Sequence, residues 1–288
     1  MEEFQSHRPL LFSIAYRMLG SASEAEDIVQ ESYLRYSAAP AAQIRSPKAF
    51  LSTIVTRLCL DQLKSARARR EQYIGPWLPE PLLTPEGDPA LQRAEQRESI
   101  STAFLVLLES LSPPERAVFL LREVFEYGYD EIADQLGLSP ANCRQLFHRA
   151  QQRVAERRPR FEPGPEDHRR LVERFLVACG SGDVASLTNL LASDAAAYAD
   201  GGGKVHAARN PIYGREKVLR YLFGSLQKRP AGARAELREV NGAPAVLVFA
   251  GPALIYVATF TIADGQIQAV HSVLNPDKLA YIQRQLSS

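Results

Sequence analysis

Between Ser112 and Arg158, the side chains able to make paired hydrogen bonds gather on one side of a helical stretch. Asn142, Arg144, Gln145, His148, Arg149, Gln152 and Arg153 share one face, and Cys143, Leu146, Phe147, Ala150 and Val154 form the opposite stripe. A helix fits the major groove of DNA, where Arg, Asn and Gln can each hold a base edge by two hydrogen bonds. From Asn142 to Arg160, six arginines face one acid, Glu156, and such a surface suits phosphates. The plain alternative is a helical hairpin with a solvated basic face.

The elements that must position this face are legible. Ser112-Pro113-Pro114-Glu115 offers a hydroxyl N-cap, Pro at the first helical position and Glu three residues on, and the apolar run Ala117, Val118, Leu120, Leu121 and Val124 follows at helical spacing. Tyr129 to Leu136 reads as a short amphipathic helix. Gly137 stands where a left-handed C-cap is needed, and Ser139-Pro140 opens the next helix. Two short helices about a glycine turn make a helix-turn-helix, for which Ala90 to Leu111 is expected to supply a preceding helix.

Composition limits what surrounds this module. A chain of 288 residues predicts two domains, and a hydrophobic share of 45% with 23% charged residues is that of globular proteins. The formal net charge is only +1, so a nucleic-acid surface must be local. Cys59, Cys143 and Cys179 lack metal or disulfide spacing and read as buried thiols of a reducing cytoplasm, with no metal and no cofactor expected. The acidic opening Met1-Glu2-Glu3 is unlike a signal peptide. Val246 to Ala263 is apolar enough to imitate a membrane span, but Gly251-Pro252 divides it and two strands are expected instead of a membrane segment.

The N-terminal third reads as helices. Phe4 to Leu19 places Leu10, Leu11, Ile14, Ala15 and Met18 inward and stops at Gly20. Ser23-Glu24-Ala25-Glu26 reads as a capping box for a second helix, in which Ile28, Val29, Tyr33, Leu34 and Tyr36 alternate with Asp27, Gln30, Glu31 and Arg35, and Asp27, Gln30 and Glu31 could be simply a solvated face. Ala38 to Arg45 reads as a loop. A third helix begins at Ser46-Pro47 and ends in the cationic run Lys64, Arg67, Arg69 and Arg70, a nucleic-acid contact or simply a wet face.

Here specific motifs appear. Ala25-Glu26-Asp27-Ile28-Val29-Gln30-Glu31-Ser32-Tyr33-Leu34-Arg35 resembles the polymerase-binding segment of bacterial sigma factors. Pro47 to Arg70 resembles their promoter-melting segment, and Ser112 to Val154 their fourth region, which reads the −35 element. Two such regions without a large middle domain resemble the extracytoplasmic-function group. The resemblance implies that Asp27, Gln30 and Glu31 meet core RNA polymerase, that the Ala38 to Arg45 loop takes up a flipped base, and that Lys64, Arg67, Arg69 and Arg70 hold phosphates. It also implies that Asn142, Arg144, Gln145, His148, Arg149 and Arg153 read or hold promoter DNA. Arg57 stands where the family commonly has Asn, and His148 where Arg or Lys is usual.

Two linkers divide the chain into residues 1–70, 90–158 and 167–288. Glu71 to Pro89 is proline-rich and carries the only Trp of the chain, Trp77, which is expected to dock rather than stand in solvent. The second linker spans 159–166. Beyond it the pattern gives helices over Asp167 to Ala178, Val184 to Leu191 and up to Leu226. Strands then run over Ala235 to Val240, Ala245 to Phe249, Leu254 to Ile262 and Ile267 to Leu274, with Asn241-Gly242 and Asp264-Gly265 as hairpin turns. A last helix follows Asn275-Pro276. The fold class is therefore two all-α modules, the second a helix-turn-helix, followed by an α+β cone that resembles the SnoaL-like domains.

Trp77-Leu78-Pro79-Glu80-Pro81, Asp200-Gly201-Gly202-Gly203-Lys204-Val205 and Asn275-Pro276-Asp277-Lys278-Leu279 resemble signatures of a sigma-factor group whose C-terminal extension regulates it. The expected regulatory contact joins Trp77 and Pro79 to Asp200, Gly201, Gly202, Gly203, Lys204, Asn275, Asp277 and Lys278. As acids or bases for catalysis the cone offers Asp200, His206 and His271, none at metal-ligand spacing, and catalysis is not expected. A small effector or a protein regulator of the cone remains a candidate partner. The rival functions are a ligand-responsive helix-turn-helix repressor and a SnoaL-like enzyme fused to a DNA-binding module.

Overall fold

The computed structural model describes residues 2–40, 44, 46–84, 100–157 and 164–287, without the side chains of 66–71 and 157. The chain divides into two compact units, Met1–Gln72 with Leu105–Arg158, and Tyr73–Phe104 with Pro159–Ser288.

In the first unit, α1 (Glu2–Leu19), α2 (Ala22–Ala38) and α3 (Pro47–Glu71) pack on one another. Gly20 stops α1 at φ +67°. The cap of α2 is Ser21 rather than Ser23: its hydroxyl accepts the Glu24 amide at 3.1 Å. Both serines satisfy the type preference for a cap, and the buried positions Ala22 and Ala25 decide in favour of the earlier one. Helix α4 covers Thr102–Leu108, so the helix expected over Ala90 to Leu111 is seen only in this last part, and 90–99 lie outside the described residues. Next come α5 (Pro113–Phe119), a π-helical turn (Leu120–Val124), α6 (Tyr129–Leu136) and α7 (Pro140–Arg157).

Val118, Leu121, Ile132, Ala133, Cys143 and Leu146 make a common core of these last elements. Two buried arginines tie α1 to the helix-turn-helix side. Arg116 donates to the Met18 carbonyl at 2.7 Å and to Glu109 at 2.8 Å, and Arg17 lies 5.7 Å from the Phe125 ring. Burial pushes both guanidinium groups down to about 10, still charged at neutral pH.

The second unit carries α8 (Pro165–Ser181), α9 (Val184–Leu190), β1 (Leu191–Asp200), β2 (Ile212–Tyr213), α10 (Arg215–Gln227), β3 (Arg234–Val240), β4 (Ala243–Ala250), β5 (Ala253–Ala263), β6 (Gln266–Val273) and α11 (Pro276–Ser287). The six strands run in the order β2-β1-β6-β5-β4-β3, antiparallel except for β1 beside β6. The sheet is therefore mixed. Strand β1, Leu-Ala-Ser-Asp-Ala-Ala-Ala-Tyr-Ala-Asp, was not legible because alanine is a helix former, and only its seat between β2 and β6 makes it a strand. Asn241 (φ +54°) with Gly242 (φ +71°), and Asp264 (φ +52°) with Gly265 (φ +70°), make the two hairpin turns as the dipeptides require. One face of the sheet buries Val246, Phe260, Ile262 and Val270 against Val172, Phe175, Leu187 and Leu222 of the helices, while α11 lies along β5. Val246 to Ala263 is the β4–β5 hairpin, and no helix among the described residues is long and apolar enough to cross a membrane.

Candidate nucleic-acid interface and linker clasp

The basic face is built by the turn before it. Gly137 adopts φ +67°, ψ +38° and closes α6, and the Ser139 hydroxyl accepts the Asn142 amide at 3.2 Å to open α7. Cys143, Leu146, Ala150 and Val154 are buried, so the opposite residues Arg144, Gln145, His148, Arg149 and Arg153 are exposed and Asn142 is half-buried. Not all of the cationic charge is free for a ligand. Glu115, 5% exposed, receives the amide and hydroxyl of Ser112 at 3.0 and 2.7 Å and Arg153 at 2.8 Å, with Arg149 at 3.9 Å. Burial alone would raise the Glu115 carboxyl; the Ser112 donors and the two arginines more than offset it and leave it below its ordinary value. The helix cap thus also anchors the recognition-type helix, a link that spacing could not reveal across 38 residues.

On α2, Asp27, Gln30, Glu31 and Leu34 fall on one stripe, with Glu31 paired to Arg35 at 2.8 Å. Leu34 is 56% exposed and adds an apolar group to the acidic stripe. The alternation of Tyr33, Leu34 and Tyr36 does not say which of adjacent apolar residues points out. Lys64 is exposed and pairs with Asp61 at 2.9 Å; the side chains of Arg67, Arg69 and Arg70 lie outside the described residues, as do 41–43 and 45 of the loop expected over Ala38 to Arg45. Arg57 donates to the Gln135 carbonyl at 2.8 Å and the Asp134 carbonyl at 3.4 Å, the acceptor end of α6.

In the second unit, Tyr73 to Thr84 runs as a strap against the sheet domain. At its centre is Asp200, whose side chain is wholly buried at the end of β1. Its carboxylate accepts the Tyr73 hydroxyl at 2.5 Å, the Leu78 amide at 2.8 Å and the Lys278 ammonium at 2.6 Å. Lys278 also donates to the Leu78 carbonyl and lies 4.1 Å from the Trp77 ring centroid and 4.9 Å from that of Tyr73. Contact with the indole contributes on the order of 1–2 kcal/mol when water is largely excluded. Burial, with the hydrogen bond to Asp200, pushes the Tyr73 hydroxyl up, so it remains a donor.

Asn275 caps α11 through the Asp277 amide at 3.1 Å and donates to the Tyr73 oxygen at 2.9 Å. The glycines allow this closeness. A Cβ on Gly202 (φ +59°) would sit 2.2 Å from Asn275 Nδ2, one on Gly203 (φ +72°) 2.9 Å from Ile74, and one on Gly201 2.7 Å from the Val205 carbonyl. Lys204 bridges to Asp277 at the surface. Trp77 is half-buried and Pro79 buried, while the side chain sunk deepest is Leu78, 1% exposed.

The strap's far end is fixed by a second residue. Asn241, 1% exposed in the β3–β4 turn, exchanges hydrogen bonds with Leu82 at 2.8 and 3.2 Å and donates to the Ile100 carbonyl at 3.0 Å. Leu83 pairs with Val240 as a bridge, and its amide donates to Gln285 at 2.9 Å. Tyr73 stands in the proline-rich linker and Asn241 in a turn dipeptide, and no local signal marks either as part of a clasp. Of the acid–base candidates, Asp200 is occupied by three donors and His206 is exposed. His271 stacks on Tyr198 at 5.2 Å, and its Nε2 meets the Thr261 hydroxyl at 3.0 Å. Burial pushes the His271 imidazole down to about 4.

Comparison with known proteins shows the family. Residues 4–69 match the family described as Sigma-70 region 2, and 101–154 match Sigma-70, region 4. The chain is 35% identical to the ECF RNA polymerase sigma factor SigJ of Mycobacterium tuberculosis H37Rv, over 96% of this chain and 92% of that one. It is 34% identical to the probable ECF RNA polymerase sigma factor SigI of the same organism, over 98% and 96% of the two chains. It superposes on the crystal structure of SigJ, an extracytoplasmic function sigma factor, with a TM-score of 0.78 at 32% identity, covering 97% and 98%. Matched along nearly its whole length, the chain belongs to the ECF RNA polymerase sigma factors.

Proposed function

We propose that this chain recruits core RNA polymerase in the cytoplasm to a particular set of promoters, and that its own C-terminal domain governs that activity. The observation that carries the first half is the α2 stripe of Asp27, Gln30, Glu31 and Leu34, in which Glu31 is half-buried and the other three are exposed. A repressor that only held DNA has no use for it, whereas an acidic stripe with an apolar member suits a basic protein partner. The exposed face of α7 and the Lys64 end of α3 then take promoter DNA, Arg144 and Gln145 at base edges and Lys64 at phosphate. Asp27→Arg with Glu31→Arg is expected to abolish co-purification with core polymerase and leave thermal unfolding unchanged. Undiminished co-purification refutes the assignment.

The second half rests on the clasp. The segment that follows α3 in the chain is bound into the C-terminal domain by Asp200, Lys278 and Asn241. A domain that holds this linker biases which arrangements of the two DNA-binding modules are populated, limited by the energy of its contacts. A small effector or a protein regulator acts on the same balance if it binds one state of the clasp better than the other. Truncation after residue 160, and a loop variant in Asp200 to Lys204, should both change run-off transcription without loss of core binding. Equal transcription from the intact chain, the truncation and the loop variant refutes regulation by the tail.

A further inference from the structure

An exposed arginine on a helix keeps much of its rotamer freedom until a partner fixes it. Arg144 is exposed, yet its guanidinium lies 5.8 Å from the centroid of the Tyr129 ring. That ring comes from the first residue of α6, outside the recognition-type helix. Arg122, from the π-helical turn, lies 5.0 Å from the same centroid and is itself held by donation to the Tyr127 carbonyl at 3.1 Å.

Tyr129 is fixed from the core side. Phe147, one turn along α7 from Arg144, meets it edge-on at 6.1 Å and 73°, and Phe147 stacks on Phe119 of α5 at 5.9 Å and 19°. The aromatic row Phe119–Phe147–Tyr129 therefore leads from the core to the ring that both guanidinium groups share.

Resting on the reading of α7 as the groove helix, we propose that Tyr129 is a positioning residue for promoter discrimination. Its ring holds the Arg144 guanidinium in place before DNA arrives, so less ordering is left to the binding step. Discrimination at the base Arg144 reads then depends on an aromatic residue that need not touch DNA. A cation–π contact at an exposed site corresponds to about two- to fivefold in an equilibrium constant, which sets the expected effect.

The test selects promoters from a library randomised across the −35 element. It uses holoenzyme assembled from core polymerase and the full chain, as wild type, Arg144→Ala, Tyr129→Phe, Tyr129→Leu and the Tyr129→Leu/Arg144→Ala double variant. Arg144→Ala should erase preference at one or two adjacent bases. Tyr129→Leu should weaken preference at those same bases about two- to fivefold and leave the other bases and the salt dependence alone. Tyr129→Phe should keep the wild-type profile, and the double variant should be no worse than Arg144→Ala.

A uniform loss at all bases, an unchanged Tyr129→Leu profile, or additive effects in the double variant overturns the inference. An unchanged Arg144→Ala profile instead sinks the groove reading and the inference with it. Should Leu at 129 prevent folding, side-chain NMR relaxation of Arg144 in the free wild-type chain decides. A guanidinium as mobile as a fully solvated one overturns the proposal, and a restrained one supports it.

Discussion

Lys278→Met removes the ammonium from the clasp and keeps an unbranched side chain of similar reach. The side chains of Lys278 and Asp200 are 8% and 0% exposed and meet at 2.6 Å. Removing one member of a buried pair costs about 3–5 kcal/mol, because a charge is left without its partner. The low end, about 3 kcal/mol, applies here, since Asp200 keeps the Tyr73 hydroxyl and the Leu78 amide. At about 1.4 kcal/mol per factor of ten, that is roughly a hundredfold in the opening equilibrium of the strap.

The assay is native-state hydrogen exchange at the Leu78 amide, with the Ile132 amide of α6 as the control, since it is bonded to the Gly128 carbonyl in the other unit. The fluorescence of Trp77, the only Trp, reports the same release. Adding Asp200→Asn to Lys278→Met removes the stranded charge and should restore most of the protection. Unchanged exchange at Leu78 in Lys278→Met, or no recovery in the double variant, refutes the argument that this pair holds the strap.

Other consequences can be checked separately. Gly202→Ala combines a left-handed φ of +59° with a Cβ 2.2 Å from Asn275 Nδ2, so calorimetry should show a loss of about 2–3 kcal/mol. Gly265→Ala, at φ +70° with nothing within 4 Å, should lose only about 1 kcal/mol. His271 is held near 4 against an ordinary 6.5, so the unfolded chain binds the extra proton. Its contribution, about 3 kcal/mol, is whole above pH 6.5 and is lost as the pH falls from there towards 4. Urea unfolding at pH 7 and pH 4.5 should show the loss, and His271→Phe should reduce it. Arg57→Asn withdraws a donor from the Gln135 and Asp134 carbonyls and should lower the urea stability of the first unit by about 1 kcal/mol; no change would mean that water replaces it without loss.

The elements carrying the basic face of α7 were written locally. A serine cap before Pro140, a glycine at Gly137 and an apolar stripe at helical spacing are short-range instructions, and the side chains opposite the stripe had to face outward. The hairpin turns at Asn241 and Asp264 were equally legible, because few residue types accept a positive φ. Tertiary structure decided what depends on partners distant in sequence. Alanine-rich β1 is a strand because β2 and β6 flank it, and Leu34 is exposed because Ala25, Val29 and Ser32 already fill the buried side of α2. Glu115 became the anchor of Arg153 across 38 residues, and Tyr73 and Asn241 became the two ends of a clasp. Types and spacing fix a turn because its hydrogen bonds close within a few residues. A buried carboxylate such as Asp200 is stable only once donors 122 and 78 residues away have reached it, and only the folded chain brings them there.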